Sequence, residues 1–417
     1  MDKYIIKQNS SGKYQVIKEG NKRATAVFDN EYDARSYALE RGTIANEKEL
    51  DRKRSGKAVL KFFIGLLGLV VGIAFGFVGG DTYLNLDDHD HDNPGIVSGS
   101  DFSIHFLELG NKYTGDSIYI KAGETDILID AGSKRSSAKT ICEYVDNYCT
   151  DNTLEYVIAT HAHEDHIAGF AGTKDVEGIF DYYKCKTIID FPKTNSTSAV
   201  YNDYVTKRDA EVTGDGATHY TALECYNNEN GAKRTYEIAD GITMSILYNY
   251  FYENKTSDEN DYSVCLLFSD GVNNYLFTGD LESEGEEKLV EYNDLPQCKV
   301  YKAGHHGSKT SSSDVLLEVI QPEIVCVCCC TGSDEYTSEN ANMFPTQLFI
   351  NRVARYTDKI YATTIVSDNK DGFESLNGNI VVSLKEGVVT VNCSNNNIIL
   401  KETDWFKENR TWPSDGK

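Results

Sequence analysis

Six consecutive residues, His161-Ala162-His163-Glu164-Asp165-His166, hold three of the chain's nine histidines together with two carboxylates. Imidazole nitrogens and carboxylate oxygens are the ligands that zinc, iron and manganese take. The hexapeptide follows Tyr156-Val157-Ile158-Ala159-Thr160, an apolar, β-branched run that reads as a strand. A loop at a strand end can aim several such side chains at one point; a solvated polar loop accounts poorly for so many ligand types in so short a stretch. Two later segments repeat the device. Tyr275-Leu276-Phe277-Thr278-Gly279-Asp280 is a strand ending in an aspartate, and Val300-Tyr301-Lys302-Ala303-Gly304-His305-His306-Gly307-Ser308 is a strand ending in paired histidines. Each alone reads equally well as a turn or a helix cap. Their joint occurrence points to a metal centre.

The elements that must position these residues begin near Ile104, where the chain changes to strand-rich α/β patterning. Ile104 to Leu109, Ser117 to Ile120 and Asp126 to Gly132 read as strands, the last ending in Asp130 and a turn. Over residues 101–400 the chain resembles the metallo-β-lactamase superfamily, whose signature is His-x-His-x-Asp-His. The branch it looks most like is the metallo-β-lactamase domain of ComEC-type competence proteins. The shared features are His105-Phe106-Leu107 with Gly115-Asp116-Ser117, Ile127-Leu128-Ile129-Asp130-Ala131-Gly132, Thr278-Gly279-Asp280-Leu281-Glu282 and Lys302-Ala303-Gly304-His305-His306-Gly307-Ser308.

The resemblance implies an α/β fold, the αββα sandwich, with two divalent metal ions at one edge of the sheets. Zinc is the first choice, manganese or iron the alternatives. Carried over residue by residue, His161 and His163 would hold one metal, Asp165 and His166 the other, with Asp280 bridging. Either His305 or His306 would complete the second site; His306 is favoured as the ligand and His305 as a substrate-facing donor. Asp130 would orient ligand histidines from behind. Two metals about 3.5–4 Å apart acidify a shared water, and Asp165 would orient the resulting hydroxide. Ser308, Lys309, Ser311 and Ser312 could donate to a phosphate, although a helix N-cap before Val315-Leu316-Leu317 is the favoured reading. The chain also departs from the family. Many members have a further histidine ligand between the hexapeptide and the bridging aspartate; here His219 alone lies in that interval, in a stretch outside any matching motif. The family's His-Pro appears as Phe344-Pro345. The polytopic channel of a DNA-uptake protein is missing, so DNA import does not follow.

Upstream, residues 1–42 read as a small ββ(β)α accessory domain and resemble a small bacterial domain of unknown function. Tyr4 to Lys7 and Tyr14 to Ile17 alternate as strands, Ala26 to Phe28 offers a third, and Glu31 to Arg41 carries a helical apolar face. Residues 43–57 form a basic linker. Residues 58–80 include an uncharged run from Phe62 to Gly80, long enough for one transmembrane helix. Gly68, Gly72, Gly76 and Gly80 recur every fourth residue, a small-residue stripe that suits homodimerisation. Arg52, Lys53, Arg54, Lys57 and Lys61 precede the span and an acidic linker, 81–100, follows. The basic flank places the N-terminus in the cytoplasm and the hydrolase domain, 101–400, outside the cell membrane. The acidic run Asp87 to Asp92 reads as a solvated linker. Residues 401–417 are a C-terminal tail.

Composition narrows the partners. The 417 residues include 65 acidic against 41 basic ones, a formal charge of -24 that disfavours binding of long nucleic acid. The 11 cysteines show no disulfide-framework spacing, and Cys326, Cys328, Cys329 and Cys330 fall in an apolar run that reads as a buried strand. Reduced thiols suggest a reducing compartment or an anaerobic source. The expected function is a membrane-anchored metal-dependent hydrolase of phosphodiesterase type, acting on a phosphoester or other small or wall-attached substrate. The alternatives are a lactone or acyl hydrolase of the same fold, and a non-catalytic membrane receptor with a degenerate metal site.

Overall fold

The computed structural model describes residues 2–8, 13–18, 24–28, 37, 42–44, 102–368 and 370–417. The chain divides into two units, Met1–Asp90 and His91–Lys417. In the first, β1 (Asp2–Gln8), β2 (Tyr14–Lys18), β3 (Ala26–Phe28) and β4 (Gly42–Ile44) form one sheet in the order β3-β2-β1-β4. The alternation seen in the sequence buries Tyr4 and Ile6 on one face together with Val16. β4 runs parallel to β1 and enters the segment expected as linker. The expected helix over 31–41, apart from Tyr37, lies outside the described residues. So do the transmembrane segment 58–80, its glycine stripe and the acidic linker 81–100. Among the described residues no helix is long and apolar enough to cross a membrane.

The second unit is built on two eight-stranded sheets. One takes β5 (Phe102–Phe106), β6 (Ile118–Ala122), β7 (Thr125–Ile129), β8 (Thr153–Ile158), β9 (Lys184–Asp190), β10 (Thr218–Thr221), β19 (Ile380–Lys385) and β20 (Val388–Cys393), ordered β10-β9-β8-β7-β6-β5-β19-β20. The other runs in chain order through β11 (Thr235–Ala239), β12 (Ile242–Ile246), β13 (Leu266–Ser269), β14 (Asn274–Phe277), β15 (Val300–Lys302), β16 (Ile324–Thr331), β17 (Ile360–Val366) and β18 (Phe373–Ser375). Inward residues of both sheets share one core: Phe102 meets Phe268 and Tyr275, and Phe106 stacks on Phe277 at 6.1 Å between centroids. Leu281, Leu289, Leu316, Leu317, Phe349 and Ile350 form a second core behind β15 and β16, the outer helical layer of a mixed α/β sandwich.

Each sheet has a run of parallel strands, β7 to β10 at one edge of the first and β14 to β17 within the other. Chains leaving parallel strands at their carboxyl ends must turn there, which is where such folds collect their chemistry. Asp130 follows β7, the hexapeptide follows β8, Asp280 follows β14, and the His305–His306 pair follows β15. The cysteine run is β16, buried at every position. All 11 cysteines are free; ten are buried and Cys393 is half-buried.

Candidate metal centre

Two glycines bring the loops into register. Gly132, just past β7, lies so close to the next loop that a Cβ there would fall 1.6 Å from the Asp165 carbonyl oxygen. Gly115 meets the same oxygen, and the Asp116 amide donates to it at 3.0 Å. Ala131 N–H donates to the His166 carbonyl at 2.7 Å, so three loops are laced together by backbone. His163 then stands at the N-terminal boundary of the helix Glu164–Ala171, with Asp165 and His166 in its first turn. On the other side, His305 and His306 both adopt left-handed backbone, φ 46° and 55°. Such conformations cost non-glycine residues about 1–3 kcal/mol each. The loop beyond is fixed by the buried carboxylate of Glu286, which accepts from the amides of Ser312 and Ser313 at 2.7 and 2.6 Å.

These loops bring His166, Asp280 and His306 together with Asp116, all four buried, one potential ligand atom of each lying within 4.8 Å of every other. His166 Nε2 and His306 Nε2 each lie 3.1 Å from the same oxygen, Asp280 Oδ2. Neither nitrogen has a hydrogen-bond partner of acceptable geometry, although both are sealed from water. Buried polar atoms are rarely left so. The remaining hexapeptide residues stand alongside. His161 Nε2 is 3.0 Å from His163 Nδ1, two imidazole nitrogens facing each other, and the His161 ring lies 4.1 Å from that of His166. Asp165 Oδ2 is 3.5 Å from His306 Nε2. Of the histidine pair, His306 joins the cluster. His305 is 22% exposed and turns Nδ1 to Glu282 Oε1 at 3.2 Å.

Behind the imidazoles sits a ring of supports. Asp130 Oδ2 lies 2.8 Å from His166 Nδ1, and its carboxylate also accepts from the Thr160 amide and hydroxyl at 2.7 Å each. His306 Nδ1 faces the Cys328 carbonyl at 2.9 Å and Asp116 Oδ1 at 3.1 Å. Holding Nδ1 of both rings turns both Nε2 atoms toward Asp280.

Lys302, at the end of β15, is 1% exposed and pairs closely with Asp116; its Nζ also lies 3.4 Å from Asp280 Oδ1. Neither Asp116 nor Lys302 was among the residues the sequence nominated as site groups. A lysine in the apolar run Val300-Tyr301-Lys302-Ala303, and an aspartate in a stretch shared with the family, were the available signals.

The electrostatics ask for positive charge. Burial works against ionising His166, but the Asp280 and Asp130 carboxylates outweigh it and push its pKa up to about 10. His306 is raised in the same way, against burial, by Asp280 and Asp116. Burial opposes the charge on Asp280 as well, yet His166, His306 and Lys302 hold its carboxyl well below the usual range. Asp165 is also lowered against burial, through His306 and His166. His161 goes the other way: burial and the neighbouring His166 keep it neutral. Carboxylates that draw protons onto imidazoles would equally draw a divalent cation, which displaces those protons on binding. The donor set of imidazole nitrogen and carboxylate oxygen, with two unsatisfied nitrogens aimed at one carboxylate, fits such an ion.

The N-cap expected before Val315-Leu316-Leu317 is present. The helix N-cap after the histidine pair is Ser313, whose hydroxyl accepts from the Leu316 amide. Ser311 donates to the Leu281 carbonyl at 2.7 Å and Ser312 meets the Tyr301 hydroxyl at 3.1 Å, so both hydroxyls are committed inside the fold. His219 lies on β10 and pairs through Nε2 with Asp190 Oδ1 at 2.8 Å.

Similarity to a known family falls on loops that build the cluster. A model of the metallo-beta-lactamase superfamily matches residues 110–179, which contain Asp116, Asp130 and the whole hexapeptide. Competence protein ComA of Neisseria gonorrhoeae is 38% identical over 127 residues, 30% of this chain and 17% of that protein. ComE operon protein 3 of Bacillus subtilis is 26% identical over 174 residues, 41% of this chain and 19% of that protein. The chain therefore matches less than a fifth of the length of these curated relatives. Among solved structures, the metallo-beta-lactamase fold protein YhfI of Bacillus subtilis is similar with a TM-score of 0.38 at 11% identity, covering 64% of this chain and 96% of that one. Residues 110–179 thus match the metallo-beta-lactamase superfamily, and part of the chain is similar to these two competence-related proteins.

Proposed function

We propose that this chain is a metal-dependent hydrolase acting on phosphodiesters, with His161, His163, Asp165, His166, Asp280 and His306 holding two divalent cations. The observation that carries the reading is the convergence of His166 Nε2 and His306 Nε2, buried and unsatisfied, on one oxygen of Asp280. When bound, two such cations supply Lewis acidity and a water acidic enough to attack at neutral pH. The chain's own residues do the rest. Asp130 and the Cys328 carbonyl fix the two imidazoles from behind, and Asp165, 18% exposed, stands at the solvent side where it orients the attacking water. His305 lies at the mouth, positioned by Glu282 to donate to an incoming oxygen. The relative named for competence favours a phosphodiester over an acyl substrate.

The basic flank before residues 58–80 supports a single-pass anchor with the hydrolase domain outside the cell membrane, and the charge of -24 supports a small or wall-attached substrate. A second, non-catalytic reading draws on Lys302, which already sets a positive charge against Asp116 and Asp280. The full chain, purified in detergent and loaded with zinc or manganese, should hydrolyse bis-p-nitrophenyl phosphate and leave a panel of lactones and β-lactams untouched. No turnover with either metal would overturn the phosphodiesterase reading. Metal analysis that finds the site empty after loading would decide for the non-catalytic one.

A further inference from the structure

The segment after β16 crosses the mouth of the cluster and ends in an aromatic pair. Tyr336 is 55% exposed, yet its hydroxyl donates to Asp165 Oδ2 at 2.8 Å. Its ring lies 5.6 Å from that of Phe344, and Phe344 in turn lies 5.9 Å from His305 and 6.0 Å from His306. The result is a continuous aromatic wall from solvent to the buried imidazoles. The fold pins it at both ends. Glu335 accepts from the Thr114 amide at 2.9 Å, Gly332 N–H donates to the Phe344 carbonyl at 2.9 Å, and Arg410 reaches the Met343 and Pro345 carbonyls at 2.7 and 2.9 Å. A tyrosine that offers its ring to water while anchoring its hydroxyl inside presents a large, rigid apolar face at small entropic cost. A ring stacked on that face would place a phosphate one bond away beside Asp165 and His305.

We propose that Tyr336 and Phe344 form an aromatic shelf that selects phosphodiesters carrying an aromatic ring. On the shelf, the Tyr336 hydroxyl turns its one proton from Asp165 Oδ2 to a non-bridging phosphoryl oxygen of the bound ester. The proposal rests on the phosphodiesterase reading and deepens it by naming the substrate class. The ring supplies sequence-tolerant stacking of the kind that aromatic side chains give to bases. Once released from Asp165, the hydroxyl supplies a donor to the phosphoryl oxygens as charge grows on them.

The test uses the full, zinc-loaded chain with two readouts. Isothermal titration compares phenyl phosphate with methyl phosphate; kinetics compares bis-p-nitrophenyl phosphate with methyl p-nitrophenyl phosphate, which share a leaving group. Wild type should bind phenyl phosphate about 10-fold tighter than methyl phosphate, and Tyr336→Ala should bring the two together. Tyr336→Phe should keep the binding preference and lower kcat for both diesters about 100- to 1,000-fold. Phe344→Leu should shrink the aryl preference in both readouts, which covers the case of a misfolded Tyr336→Ala. Equal binding of the two monoesters by wild type, or a preference that survives both Tyr336→Ala and Phe344→Leu, overturns the shelf; an unchanged kcat in Tyr336→Phe overturns the donor role. If the preference behaves as expected but neither diester is hydrolysed, the shelf stands and the phosphodiesterase reading falls.

Discussion

Replacing Lys302 by methionine should destabilise the metal-free chain far more than the metal-loaded one. The side chain is 1% exposed, and its Nζ lies between Asp116 and Asp280, 3.4 Å from Asp280 Oδ1. At that distance, with an effective dielectric of about 20, one ion pair is worth about 5 kcal/mol before desolvation. Burying the ammonium offsets much of that in the wild type. Methionine removes the cation and leaves two buried carboxylates facing each other, a change that costs about 3–5 kcal/mol. Asp116→Asn/Lys302→Met should recover part of the loss, because it removes one of the uncompensated charges. A divalent cation in the cluster supplies the missing positive charge and no longer meets an ammonium. The variant should therefore bind zinc more tightly than wild type, and zinc should close most of the stability gap.

The assay is urea unfolding followed by tryptophan fluorescence, with chelator and with zinc, together with zinc titration. Both tryptophans, Trp405 and Trp412, lie in the second unit and report on it alone. A loss below about 1 kcal/mol in chelator, or a gap that zinc leaves unchanged, would refute the buried-pair argument.

Other consequences can be checked alongside. Asp130→Asn keeps the shape behind His166 but loses the carboxylate at 2.8 Å, and should weaken metal affinity about 10- to 100-fold in a competition titration, with the fold retained. His219→Ala breaks a hydrogen bond with Asp190 in a side chain 26% exposed; metal content by elemental analysis should be unchanged and stability should fall by no more than about 1 kcal/mol. Asp261 is buried, and burial together with the nearby Asp258 raises its carboxyl from 3.8 to about 7. A raised acid penalises folding once it ionises, so the cost is absent below pH 4, grows as pH rises to about 7 and is complete above it. Asp261→Asn should match wild type at pH 4 and exceed it at pH 8 by up to about 4 kcal/mol in urea unfolding. Equal stability at both pH values would show that the carboxyl is solvated.

Much of this architecture is local in the sequence. A ligand motif directly after an apolar run is visible because strand and loop are neighbours in the chain, and the hexapeptide, Asp280 and the His305–His306 pair are legible in this way. The fully buried cysteine strand, β16, followed from its apolar surroundings. What escaped depends on approaches between distant loops. Asp116 joins the cluster because Gly115 and Gly132 let two backbones close on the Asp165 peptide, a contact that no spacing encodes. Lys302 stands in a stretch shared with the family, but its role depends on Asp116 and Asp280, which flank it from other loops. Tyr336 sits 171 residues beyond the carboxylate it touches, in a loop with no periodicity to read. The cap at Ser313 lies one residue past the serines named for it, because the Glu286 carboxylate holds the Ser312 and Ser313 amides and delays the helix start.

The burial of the thiols decouples this chain from its redox surroundings. Desolvation pushes Cys142, Cys298 and Cys393 up to about 12 and Cys149, Cys225 and Cys329 up to about 11, so hardly any thiolate exists at neutral pH to be alkylated or oxidised. Eleven unpaired cysteines are then compatible with an oxidising exterior. A single cysteine engineered onto an exposed position would be the one fast-reacting handle for a fluorophore or spin label, with every native thiol left in place.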